Sequence, residues 1–265
     1  MKNLVILILI FVANCIYANE VIYTYGDTIA VYCIETGKTF ILSNYHGISH
    51  LTMGKCRKKD SKYILSFYDT DQYYNRNHKF LIEKTLIIEN EMIIHIYEDT
   101  IYEKINYFFD ENRPDANVKS SYDILDILQP QNEFVRTNGD LIIKRNGEEF
   151  MVKKSTVCDK YKIGYFQPQL SFNKKIIVCT QMKGKYDWRK IKEYSIIEID
   201  IVNMLEQNLN IKGWCVGFST NDRYILCFDG YHGYNNRLFF LFDMKQRIKI
   251  KNIVAKDALW LSKEY

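Results

Sequence analysis

A chain of 265 residues with 47% hydrophobic and 26% charged residues can bury a sizeable core, which excludes a disordered protein. A formal charge of +4, with basic residues scattered among acidic ones, excludes nucleic acid as the expected partner. The 21 Tyr and 15 Phe beside only 12 Gly and 3 Pro favour strands, because aromatic side chains pack well on a pleated, half-buried surface.

The N-terminus, MKNLVILILIFVANCIYANE, carries one Lys, an apolar run from Leu4 to Ala13 and then small residues. This is the pattern of a secretory signal peptide cleaved after Ala18, and the run is too short for a comfortable membrane span. Val12-Ala13-Asn14-Cys15 offers a second reading, a bacterial lipobox with a lipid on Cys15; an uncleaved anchor is a third. Residues 1–18 are therefore expected to be a signal segment and 19–265 a single domain, exported to the periplasm or beyond. Membrane contact is expected only through the lipid. Without Cys15 the chain keeps Cys33, Cys56, Cys158, Cys179, Cys215 and Cys227, an even number that fits either disulfides in an export compartment or buried thiols.

Next in the chain come GDTIAVYCIETGKTFIL (26–42) and, much later, GDLIIKRNGEEFMVK (139–153). Both read as hairpins, with turns at Glu35-Thr36-Gly37 and Asn146-Gly147. The stretch from about 84 to 138 is expected to be an irregular insert, with a short helix around Ser121–Leu128 capped by Ser121 or Asp123.

A turn followed by a strand recurs three times, as DSKYILSFYD (60–69), LSFNKKIIVC (170–179) and FSTNDRYILCF (218–228). Setting Ser171 on Ser219 aligns Asn173 with Asn221, Lys175 with Arg223, Ile177 with Ile225 and Cys179 with Cys227 without a gap. Each copy then reaches a second strand, NRNHKFLIE (75–83), YSIIEID (194–200) and RLFFLFD (237–243), the last two ending in Asp. Units of roughly 40 to 50 residues built from a few strands belong to the period of β-propellers. Runs such as Leu238–Phe242, apolar on consecutive residues, suit a sheet covered on both faces.

The pattern FSTNDRYILCF, then RLFFLFDMKQRIKI, then AKDALWL resembles the WD40-like repeats of TolB-type bacterial β-propellers. Phe218, Ser219, Asp222, Arg223, Tyr224, Ile225 and Phe228 match the first part of that repeat, and Leu238 to Asp243 the second. Thr220 replaces a Pro, the turn Gly is absent, and the fuller match covers residues 165–262. The resemblance implies an all-β, propeller-like fold of roughly five blades, each of three to four antiparallel strands, in a small or incomplete ring. RYILCF would be the second strand of a blade and RLFFLFD the third, with the chain end DALWLSKEY lending a strand to an adjoining blade. It implies almost nothing about activity, since propellers host many functions.

No G-x-S-x-G elbow, H-E-x-x-H helix, phosphate-binding G-x-x-x-x-G-K or C-x-x-C pair occurs, and no cofactor or metal is expected. His46 and His50 are spaced as the start of a metal site but have no third ligand, and Asp69, Asp71 and Asn75 only faintly resemble a calcium loop. The polar loops between the paired strands of each copy are more informative. They carry Tyr73, Tyr74 and Arg76, then Tyr186, Trp188 and Arg189, then Tyr231, Tyr234 and Arg237. Tyr, Trp and Arg offer large contact area and directed hydrogen bonds at modest entropy cost. These nine residues are the candidate ligand-binding face of a non-enzymatic binding or scaffold protein of the bacterial envelope, whose partner would be a protein or a glycan. A secreted hydrolase or lyase using His46, His50, Asp69 or Asp71 is the alternative.

Overall fold

The computed structural model describes residues 19–46, 50–59, 61–69, 81–101, 134–135, 139–145, 147–158, 160–185, 191–232 and 236–263. Twenty strands and no helix are found among them. The first seven are β1 (Glu20–Tyr25), β2 (Thr28–Cys33), β3 (Lys38–Asn44), β4 (His50–Lys59), β5 (Lys62–Asp69), β6 (Leu81–Glu89) and β7 (Met92–Ile101). A three-stranded sheet follows, β8 (Phe134–Val135), β9 (Leu141–Arg145) and β10 (Glu148–Lys153). A five-stranded one comes next, β11 (Thr156–Cys158), β12 (Tyr161–Leu170), β13 (Ile176–Gly184), β14 (Ile191–Asp200) and β15 (Leu205–Asn208). The last two groups are the four-stranded sheet β16 (Trp214–Phe218), β17 (Tyr224–His232), β18 (Asn236–Asp243) and β19 (Ile248–Ala255), and the closing strand β20 (Asp257–Lys263).

The chain divides into two compact units, one of residues 1–122, 219–221 and 254–265, the other of 123–218 and 222–253. In the first unit the strand order is β3-β2-β1-β20-β4-β5-β6-β7. β20 runs antiparallel to β1, with Val21 opposite Trp260, and parallel to β4, with Leu261 opposite Cys56. The chain end thus supplies the fourth strand to the group begun by β1, as the reading of DALWLSKEY expected. Two antiparallel four-stranded groups result, β20-β1-β2-β3 and β4 to β7, joined edge to edge where β20 meets β4. Their shared core contains Ile22, Val31 and Leu259 from one group and Cys56, Leu65, Phe67 and Leu86 from the other.

The second unit repeats the arrangement. Leu141, Ile143 and Val152 of the β8–β10 sheet share a core with Ile177, Cys179, Ile197 and Ile199 of the β11–β15 sheet. Val178 and Ile196 from the opposite face of that middle sheet join Phe218, Ile225, Cys227, Phe240 and Phe242 of the last sheet in another core. A sheet covered on both faces needs apolar residues on consecutive positions, and that is what the middle strands show. Residues Ile29–Cys33, Tyr224–Phe228 and Phe239–Asp243 are buried without alternation, whereas the outer strands β3, β10, β15 and β19 are largely exposed. Buried middle strands beside exposed outer ones suit blades stacked face to face, and the fold is all-β and propeller-like.

Turn chemistry follows the residues. Gly37, at φ +66°, closes the β2–β3 loop by donating to the Cys33 carbonyl at 3.0 Å. Gly147, at φ +85°, sits in the β9–β10 turn, where Arg145 faces Glu148. The stretch beginning near residue 84 differs from expectation, because its first part forms the regular hairpin β6–β7. Its two-residue turn, Asn90-Glu91, has φ of 50° and 63°, the positive pair a type I′ turn requires, achieved without glycine. The helix expected at Ser121–Leu128 lies outside the described residues.

The six cysteines from Cys33 onward are thiols, and all but Cys158 are buried. No helix of the described residues is long and apolar enough to cross a membrane.

Candidate functional site

The recurring turn proves to be a structural device. In the first of the aligned copies, Ser171 is 2% exposed and donates from Oγ to Asn173 Oδ1 at 2.9 Å; the same Oγ accepts from the Ile176 N–H at 3.0 Å. In the second copy Ser219 is fully buried and donates from Oγ to Asn221 Oδ1 at 2.7 Å. The residue after each Asn, Lys174 or Asp222, is left-handed, at φ 57° and 58°. Asp222 adds a tie that Lys174 cannot: its carboxylate accepts from the N–H of Phe172 at 2.6 Å and of Asn173 at 2.9 Å, joining one copy to the other. The Asp that ends each third strand also has a local task. Asp200 accepts from the N–H groups of Val202 and Asn203, and Asp243 from those of Lys245 and Gln246, so each fastens the turn after its strand.

At the opposite end of the same strands, in the second unit, lies a different chemistry. Trp214 and Phe228 face each other in the β16–β17 ladder and stack with centroids 6.5 Å apart. Tyr194 also stacks on Trp214, at 6.0 Å, and Phe239 closes on Phe228 at 5.8 Å. The guanidinium carbon of Arg237 stands 5.3 Å over the Phe228 ring. The Tyr194 hydroxyl points to the Asp229 carboxylate at 3.5 Å. Burial pushes the Tyr194 phenol above its ordinary pKa and the nearby Asp229 carboxylate adds to the effect, so the hydroxyl stays a donor. Phe228 and Phe239 are buried and hold the row from below, while Trp214, Tyr194, Asp229 and Arg237 are half-buried.

The base of the preceding blade's equivalent loop has the same character. Lys183, near the end of β13, and Lys192, at the start of β14, stand 5.9 and 5.0 Å from the Tyr161 ring centroid. The aromatic face helps position both cations, and Lys192 is also 3.9 Å from the Glu193 carboxylate. They leave a cationic, aromatic rim beside the half-buried row.

Of the nine residues singled out from the sequence, Arg237 is the one whose side chain the described residues include, and it belongs to this row. Tyr231 faces Arg237 in the β17–β18 ladder, and its side chain is not among those described. Tyr73, Tyr74, Arg76, Tyr186, Trp188, Arg189 and Tyr234, with Cys15, lie outside the described residues. His46 is described: its Nδ1 is 3.0 Å from Asp27, with the two side chains 93% and 60% exposed. So exposed a pair contributes little to stability. The His50 and Asp69 side chains and all of Asp71 lie outside, and no group of three His, Cys, Asp or Glu suited to a metal occurs among the described residues.

Tyr194, Trp214 and Asp229 were not singled out from the sequence. Extending the 48-residue offset upstream sets Phe166 on Trp214, both on the strand preceding the repeated turn, and that was the available signal.

No protein-family model matches the sequence, and no curated protein matches it. Similar solved structures include an oligogalacturonate lyase in complex with manganese, at 8% identity and a TM-score of 0.32, covering 88% of this chain and 61% of that one. Tricorn protease (10% identity, TM-score 0.27) aligns over 89% of this chain and 20% of its own, and TolB from Acinetobacter baumannii (10%, 0.22) over 91% and 53%. This chain therefore spans about three-fifths of the lyase and half of TolB.

Proposed function

We propose that the chain is an exported, non-enzymatic binding protein of the TolB-like, WD40-like propeller type, acting in the bacterial envelope on a protein or glycan partner. In this reading residues 1–18 are removed or lipidated at Cys15, and residues 19–265 serve as one propeller-like domain. The observation that carries the binding role is the stacked row Tyr194–Trp214–Phe228–Phe239, with Arg237 over it and Asp229 beside it, at the ends of strands that lead into the aromatic-basic loops. Rings already packed against one another lose little freedom on binding and offer aromatic surface to a sugar ring or to a planar side chain. Arg237 and Asp229 add one directed donor group and one acceptor.

The test is partner capture by crosslinking in the native envelope, with glycan-array binding of the purified chain beside it. Arg237→Ala, and Tyr73, Trp188 and Tyr234 replaced together by Ala, are expected to abolish both signals while the far-ultraviolet dichroism stays that of a β protein. Capture retained by both variants refutes the face. A hydrolase or lyase is the alternative, and glycan or peptide cleavage lost in His46→Ala and His50→Ala would favour it. Lipid labelling lost in Cys15→Ser separates the lipid-anchored form from the cleaved one.

A further inference from the structure

We propose that Cys215 and Cys227 form a cross-strand disulfide when the chain folds in the presence of a disulfide oxidant, and that the bond lies directly under the aromatic row. The two residues face each other in the β16–β17 ladder. Residues directly opposed across antiparallel strands have Cα atoms about 4.5 to 5.5 Å apart, inside the span of about 4.4 to 6.8 Å that a disulfide bridges without backbone movement. Both cysteines are buried in the same core, at 2% and 0% exposure. Among the described residues no other two cysteines oppose each other across a ladder: Cys33 faces Glu20 and Lys38, Cys56 faces Leu65 and Leu261, Cys158 faces Tyr161, and Cys179 faces Ile197. The next register pair is Trp214 with Phe228, so a bond at 215–227 ties together the two strands that present the stack.

The chemistry fixes when this happens. Burial holds the Cys227 thiol well above its ordinary pKa, and only a thiolate attacks a disulfide, so the finished fold is protected from oxidation. The bond forms earlier, while β16 and β17 are pairing. One thiolate attacks the oxidant to give a mixed disulfide, and the second displaces the reduced half. One S–S bond forms within the chain, the oxidant's S–S bond breaks, and the two electrons and two protons lost by the cysteines leave the oxidant as two thiols.

The full chain, purified reduced, is unfolded in denaturant and refolded in a mixture of oxidised and reduced glutathione. It is then alkylated, digested and weighed. The expected product is a linked peptide pair containing Cys215 and Cys227, lighter by two hydrogens than the separate peptides, with Cys33, Cys56, Cys158 and Cys179 alkylated. The link persists in Cys179→Ser, a neighbour in the core, and is absent in Cys215→Ser. Native reduced protein given the same glutathione mixture without denaturant stays reduced on the time scale of refolding. Full alkylation of Cys215 and Cys227 after refolding, or a bond from either to Cys179 or Cys158, overturns the proposal. The wild-type measurement decides even where a variant fails to fold. It uses a supplied oxidant, so its outcome is independent of whether the chain is exported.

Discussion

The same substitution, to glycine, is expected to act with opposite sign at two positions related by the repeat. Lys174 and Asp222 both occupy the left-handed region, at φ 57° and 58°, where a non-glycine residue costs about 1 kcal/mol. Glycine removes that cost but enlarges the freedom of the unfolded chain, so Lys174→Gly should gain about 0.5 kcal/mol net. The backbone bond from the Lys174 N–H to the Ser171 carbonyl, 2.9 Å, is untouched by the change. Asp222→Gly relieves the same strain but deletes the carboxylate that accepts from the Phe172 and Asn173 N–H groups. Two charge-assisted bonds, discounted for partial exposure to about 1 kcal/mol each, turn the gain into a loss of about 1.5 kcal/mol. The variants should therefore differ by about 2 kcal/mol. With a urea slope of about 3 kcal/mol/M for a chain of this size, the unfolding midpoints separate by about 0.7 M. Asp222→Asn, which tolerates the same backbone and keeps one acceptor oxygen, should fall between. Midpoints that move together, in either direction, would show that the carboxylate tie between the two turns contributes nothing and that strain alone governs both sites.

Gly213→Ala should destabilise by about 2 to 4 kcal/mol in the same urea assay, because its Cβ would meet the Phe228 carbonyl oxygen at 2.8 Å and the Phe240 ring at 3.1 Å, at φ +149°. Ser171→Ala should cost about 1 to 2 kcal/mol, since the Ile176 N–H loses its side-chain acceptor and Asn173 Oδ1 one of its two donors, the Lys175 N–H remaining. At Asp243 burial raises the pKa, yet hydrogen bonds from the Gln246 N–H, Arg223 and the Lys245 N–H outweigh it and hold the carboxyl below its ordinary 3.8. A depressed folded pKa contributes stability that is present above 3.8 and lost as pH falls through the lower folded value, so the gap between wild type and Asp243→Asn should narrow below about pH 4. Glu20 has the opposite sign: burial raises its pKa above 4.5, with Lys58 opposing and Glu35 adding, and its Oε2 finds no hydrogen-bond partner among the described residues. Its contribution is full below 4.5 and lost as pH rises through the folded value, so Glu20→Gln should raise the midpoint at pH 7 and leave it unchanged near pH 4.

Much of the blade was legible because its signals are short and local. Ser-x-Asn followed by an apolar run specifies a turn whose polar atoms are satisfied within five residues, and the Asp after Ile199 or Phe242 fastens the next turn through its own neighbours. Neither needs distant residues to be read. The burial of consecutive residues in β17 and β18 was equally readable, since a strand covered on both faces has no polar alternation to keep. The hairpin β6–β7 was missed because its turn residues, Asn90 and Glu91, take positive φ without the glycine that usually announces it.

The aromatic row escaped for a different reason, and the reason bears on where function lies. Tyr194, Trp214, Phe228 and Phe239 come from four strands of two sheets, so no window of sequence contains the stack. Only the repeat offset, which makes the ends of β13 and β17 equivalent, puts the Tyr161–Lys183–Lys192 group and the Arg237 group at corresponding loops. The turn at FSTNDR is conserved between copies by hydrogen-bond necessity, and any residue that disturbs it loses stability. The far strand ends carry no such constraint. Phe228 needs only an apolar partner to be buried, yet it is sandwiched by Trp214 and Arg237, both half-exposed. A buried ring covered by a tryptophan and a guanidinium, where a leucine would serve the core equally well, is better accounted for by what the exposed parts of Trp214 and Arg237 meet than by the packing beneath them.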